Sequence, residues 1–70
     1  MAELEPEVRQ ANLAFAMLGS SHDRESEWVA RNVDGYQDLE TEALRVKIRR
    51  DVEALRRAGV PISYSGGTLT

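Results

Sequence analysis

Six of the chain's nine cationic side chains fall between positions 45 and 57: Arg45, Lys47, Arg49, Arg50, Arg56 and Arg57. A guanidinium is a planar fork of N–H donors that stays charged at any physiological pH, so such a cluster suits the holding of anions, either carboxylates or the phosphates of a polyanion. Leu44, Ile48, Val52 and Leu55 run among these cations at the spacing of one helical face. With that face turned inward, Arg45, Arg49 and Arg56 line one flank and Lys47, Arg50 and Arg57 the other, bracketing a narrow outer ridge. Net charge is −3, yet it is segregated. Residues 1–44 hold ten acids and three bases, whereas residues 45–70 hold six bases and two acids.

Other chemistry finds little support. His22 is the single histidine, it sits in a serine-rich turn, and there is no cysteine. Neither a metal site nor a Ser-His-Asp arrangement can be assembled around it, and no glycine-rich phosphate loop precedes a helix. The expectation is a protein without catalytic residues, metal, cofactor or small-molecule ligand. With no apolar run as long as a membrane span or a signal-peptide core, no membrane role and a cytoplasmic location are expected.

Seventy residues allow one small domain, which buries about 60% of its unfolded surface and must be held by packing alone. Three helices are predicted. Helix 1, over 4–18, starts at Pro6 with Glu3, Glu5 and Glu7 in its first turns, and carries Leu4, Val8, Ala11, Phe15 and Leu18 as its inward stripe. Gly19 is expected to end it in a left-handed conformation. After the polar break at Ser20, Ser21, His22 and Asp23, helix 2 spans 24–33, and Asp34-Gly35 closes it. Asp38 would cap helix 3, over 39–58, which stops at Gly59 and Pro61.

Beyond residue 61 the period changes from helical to alternating, and Gly66-Gly67 supplies the positive φ angles of a two-residue hairpin turn that sets Tyr64 opposite Leu69 and Ser63 opposite Thr70. So short a return strand is marginal by itself, which points to an N-terminal piece of a longer protein. Asp51 borders the core and should pair with Arg50 or a backbone amide, a structural role. Trp28 and Tyr36 read as packing at the edge of helix 2.

The order of three helices and a hairpin is that of a winged helix, and particular residues bring the likeness closer. The run Ile48-Arg49-Arg50-Asp51-Val52-Glu53-Ala54-Leu55-Arg56-Arg57-Ala58-Gly59-Val60-Pro61-Ile62 resembles the recognition-helix segment of DeoR-like and WYL-domain bacterial transcription regulators. Asn12-Leu13, Val33-x-Gly35-Tyr36 and Ala43-Leu44 are similar to the proteasome accessory factor B and C branch of that family, and the likeness covers most of residues 11–70. The resemblance implies a mainly α, winged helix-turn-helix module over 1–70 that binds double-stranded DNA. The ligand-sensing WYL domain of that family has no counterpart in these residues.

On this reading Arg45, Val46 and Lys47 face bases or the groove, with Arg45 reading guanine and Val46 meeting a thymine methyl group. Arg49, Arg50, Arg56 and Arg57 would hold phosphates, and Ser65, Gly66, Gly67 and Thr68 would add contacts from the wing. Glu40 and Glu42, near the same surface, oppose binding to a polyanion. Leu13 and Met17, spaced i, i+4 opposite the expected stripe of helix 1, form a candidate partner interface for a homo- or heterodimer. The alternative is a protein-interaction module on the same scaffold, in line with the acidic total.

Overall fold

The computed structural model describes residues 4–20 and 22–70, so Glu3 and Ser21 lie outside the described residues. The chain folds as α1 (Pro6–Leu18), β1 (Arg24–Glu25), α2 (Ser26–Asn32), α3 (Thr41–Arg57), β2 (Tyr64–Ser65) and β3 (Thr68–Leu69). The three helices carry most of the regular structure. The strands form one antiparallel sheet in the order β1-β3-β2.

Pro6 opens α1 at a position where its missing N–H costs nothing, and Glu7 follows in the positive first turn. At the other end Gly19 has φ −84° and ψ −1°, so the expected left-handed terminus is not there and the last turn simply tightens. The larger departure is the face that α1 buries. Leu13 is wholly enclosed and Met17 packs against the core, while Val8, Phe15 and Leu18 are exposed. The two apolar stripes of α1 are thus exchanged relative to expectation, and Leu13 is not available to a partner.

The reason lies on α3. Arg9, Leu13 and Met17 share one side of α1 at i, i+4 and i+8, and Arg9 forms the ion pair with Asp51, a residue only 1% exposed. Turning the Phe15 stripe inward would withdraw Arg9 and strand a buried carboxylate, which is costlier than exposing a phenyl ring.

Helix α3 buries Leu44, Ile48, Asp51, Val52 and Leu55, the apolar stripe read from the sequence with the aspartate added. Its N-cap is Glu40 and not Asp38, which instead takes a left-handed turn at φ 60°. At the far end Val60 N–H donates to Leu55 C=O and Gly59 N–H to Arg56 C=O, with Gly59 at φ 95°. This is a Schellman termination, in which only glycine takes the left-handed place without strain.

The hairpin register is the expected one: Tyr64 pairs with Leu69 and Ser65 with Thr68, and Ser63 and Thr70 exchange backbone hydrogen bonds. What the sequence did not announce is β1, which takes the first two residues of the expected helix 2. It pairs Arg24 with Leu69 and Glu25 with Thr68, so β3 becomes the central strand and Leu69 is fully buried. The short return strand is stabilised from both sides. Leu13, Val29, Val33, Tyr36, Leu44, Ile48, Val52, Leu55, Ile62 and Leu69 make up the core.

Candidate nucleic-acid interface

The cations of α3 divide by depth. Arg49, Arg50, Arg56 and Arg57 are exposed, and Lys47 and Val46 are half-buried. Among the described residues Arg9–Asp51 is the only ion pair, so none of the six α3 cations is engaged by a carboxylate. Glu42 and Glu53 are exposed on the same outer side, spaced among the arginines and paired with none of them. The surface is therefore mixed in sign, with its strongest positive character towards the end of α3, where Arg56 and Arg57 also complement the helix dipole.

Arg45 is placed differently. A Cβ built on Gly67 would lie 3.2 Å from one terminal guanidinium nitrogen of Arg45 and 3.5 Å from its Cζ, so the side chain leans over the β2–β3 turn. Its Nε is buried without a hydrogen-bond partner. The residue expected to project outward from α3 instead bridges α3 to the turn, and Gly67 leaves the room for it. Val46, expected to be exposed, is likewise only partly so.

The turn itself is anchored from α2. Ser26, 2% exposed, donates its backbone N–H to Gly67 C=O at 2.9 Å and its hydroxyl to the same oxygen at 3.0 Å, and that hydroxyl also meets the Tyr64 hydroxyl. Gly66 at φ 58° and Gly67 at φ 83° supply the mirror-image turn that matches strand twist. Ser65 and Gly66 are exposed at the tip, whereas Gly67 and Thr68 are partly covered. The structure thus brings the turn beside Arg45, while Arg56 and Arg57 lie three helical turns further along α3.

The most perturbed titratable groups lie on the other side of α3. Arg9 Nε and Nη2 donate to the two Asp51 carboxylate oxygens at 2.6 and 2.7 Å, Gln10 Nε2 donates at 3.1 Å, and Tyr36 Oη donates to Oδ2. Burial pushes the Asp51 carboxyl up, but donors from Arg9, Tyr36 and Gln10 together hold it below its ordinary 3.8. Burial and the bond to Asp51 push the Tyr36 hydroxyl well above its usual range, so it remains a donor. Arg9 passes over Gly35, whose φ is 112° and where any Cβ would come within 2.6 Å of Arg9 Cγ. The structural role read for Asp51 holds, but its partners are Arg9, Tyr36 and Gln10 and not Arg50.

Sequence reasoning missed these three, since partners 42, 41 and 15 residues from Asp51 leave no periodic trace. It also missed that Arg24 lies over the Trp28 ring, 4.6 Å from the centroid, with Nε donating to Ser20 Oγ at 2.8 Å. The i, i+4 spacing was the available signal for that pair.

Comparison with protein families, characterised proteins and solved structures gave no match for this chain. Among the described residues no group of three or more His, Cys, Asp or Glu could hold a metal ion, and no helix is long and apolar enough to cross a membrane.

Proposed function

We propose that the chain is a winged helix-turn-helix module that binds double-stranded DNA in a bacterial transcription regulator of the WYL-domain class. In this reading α2 and α3 form the helix-turn-helix, α3 lies along the major groove, and the β2–β3 hairpin is the wing. One observation carries it: α3 exposes four arginines that, among the described residues, pair with no carboxylate, beside a turn that offers small residues and bare backbone. Arg49, Arg50, Arg56 and Arg57 hold phosphates, and Val46 and Lys47 approach the base edges. Ser65 and Gly66 touch the backbone from the wing. Arg45 joins recognition helix to wing at Gly67 and presents its guanidinium beside the turn.

The test is fluorescence anisotropy on a duplex selected from a randomised pool, with salt as the variable. Four phosphate contacts give a slope of about −3.6 in log K against log salt, so affinity falls roughly 100-fold between 50 and 200 mM. Arg49→Ala with Arg50→Ala reduces that slope by about 2. Equal slopes for variant and wild type, or no salt dependence at all, refute the assignment.

A second reading has specific support in the net charge of −3 and the apolar face left open on α1. It is a protein-interaction module on the same scaffold, and binding indifferent to salt is its signature.

A further inference from the structure

The face that α1 leaves open has a regular pattern. Val8, Ala11, Phe15 and Leu18 follow one another at intervals of 3, 4 and 3 residues, with Leu4 four residues before Val8, which is the alternating spacing of a coiled-coil seam. Phe15 is 77% exposed, Leu18 66%, Val8 47% and Leu4 40%. A helix packing on a single globular core needs one apolar stripe. Here α1 has two, and the core uses the one that carries Leu13 and Met17.

We infer that this seam of α1 is a self-association surface whose occupant is the same seam of a second copy, running antiparallel. Three observations specify that partner. First, the 3-4-3 spacing fits a helix bearing an equivalent repeat, because knobs seat in holes only when both seams share the period.

Second, side-chain volume favours the antiparallel arrangement. Parallel pairing stacks each residue on its own copy, which sets Ala11 on Ala11 with a void and Phe15 on Phe15 with crowding. Antiparallel pairing sets seam positions of opposite kind together, so Phe15 lies over Ala11 of the second copy, and Leu18 over its Val8. Large meets small at both central layers.

Third, charge favours the same direction. Glu5 is the N-cap residue of α1 and Glu7 stands in its first turn, and no basic residue lies in its last turn. A parallel pair places four carboxylates side by side, whereas an antiparallel pair keeps them at opposite ends.

The area sets the strength. The four exposed side chains present on the order of 400 Å² of apolar surface per copy, at the size of the largest patches on monomers. Two copies together bury on the order of 800 Å², below the ~1,200 Å² at which stable specific complexes begin, so the contact is weak and depends on concentration. Such a contact is reversible and shows itself in a concentration series. The inference does not depend on DNA binding, and the two can fail separately.

Sedimentation equilibrium of the full chain from 5 to 300 μM decides it. The expected result is a weight-average mass rising from 7.8 kDa towards twice that value, with Phe15→Glu holding at the monomer mass and keeping the wild-type far-UV circular dichroism. Phe15 is exposed, so this variant leaves the core intact. A wild type that stays monomeric throughout, or a folded Phe15→Glu that associates as wild type does, overturns the proposal.

Orientation is read separately, and the absence of native cysteine makes the assay clean. A mixture of Val8→Cys and Leu18→Cys chains gives mixed disulfide dimers if the helices are antiparallel. Val8–Val8 and Leu18–Leu18 products in place of mixed ones overturn the antiparallel assignment.

Discussion

Replacing Asp51 by asparagine removes a charge from the centre of the molecule while leaving its shape nearly unchanged. The carboxylate it replaces accepts from Arg9, Gln10 and Tyr36, and the Asp51 side chain is 1% exposed. Breaking a buried pair by neutralising one partner costs about 3–5 kcal/mol, because the other charge is left uncompensated. Arg9 retains 14% exposure and some hydration, which places Asp51→Asn near the lower end, about 3 kcal/mol. A domain of this length holds roughly 3.5–10 kcal/mol in total, and each kcal/mol moves Tm by about 4–8 °C, so the melt should fall by ~12 °C or more.

Circular dichroism melts at pH 7 measure this directly. The acid limb supplies an independent reading. Because the folded carboxyl titrates below 3.8, the unfolded chain binds more protons at Asp51 than the folded chain between the two values, and stability rises with pH across that interval. The contribution is complete above about pH 5 and fades as pH falls through 3.8 and below. In Asp51→Asn that part of the acid limb is missing. A variant melting within about 3 °C of wild type, with an unchanged acid limb, would show that the network contributes little and would remove the explanation given for the orientation of α1.

Three further substitutions probe the same architecture. Gly35→Ala meets both a left-handed φ of 112° and Arg9 Cγ at 2.6 Å, while Gly59→Ala, at φ 95°, meets nothing within 4 Å. The first should cost at least 2 kcal/mol and the second about 1, measured by urea unfolding; equal costs would mean that Arg9 does not depend on the gap at Gly35. Ser26→Ala removes the hydroxyl shared with Gly67 and Tyr64 and should cost about 1–2 kcal/mol while accelerating hydrogen exchange at the Thr70 amide. Unchanged exchange there would place the anchoring of the hairpin in β1 alone.

Much of the fold was legible because it is written in local period. The α3 stripe, the Schellman glycine at position 59 and the Tyr64–Leu69 register each follow from spacing within a few residues, and each appears where spacing puts it. The strand β1 was not legible. Arg24-Glu25 has no apolar alternation, and it becomes a strand because β3 offers it unpaired backbone groups. Of the candidate site, the exposure of Arg49, Arg50, Arg56 and Arg57 followed from the helical wheel, whereas the place of Arg45 depends on a turn 22 residues away.

The exchange of faces on α1 is the instructive case. Period alone gives two stripes, and the one richer in large side chains, with Phe15 and Leu18, has the stronger claim to the core by area. It is nevertheless exposed, because Leu13 shares its side of the helix with Arg9, and Arg9 is the cation that Asp51 requires. An ion pair is expensive to bury, but once one partner is fixed in α3 the other must follow, and several kcal/mol of uncompensated charge outweighs the 1.5–3 kcal/mol gained by burying a phenyl ring. A single polar contact spanning 42 residues therefore decides both what α1 buries and what it offers to the outside.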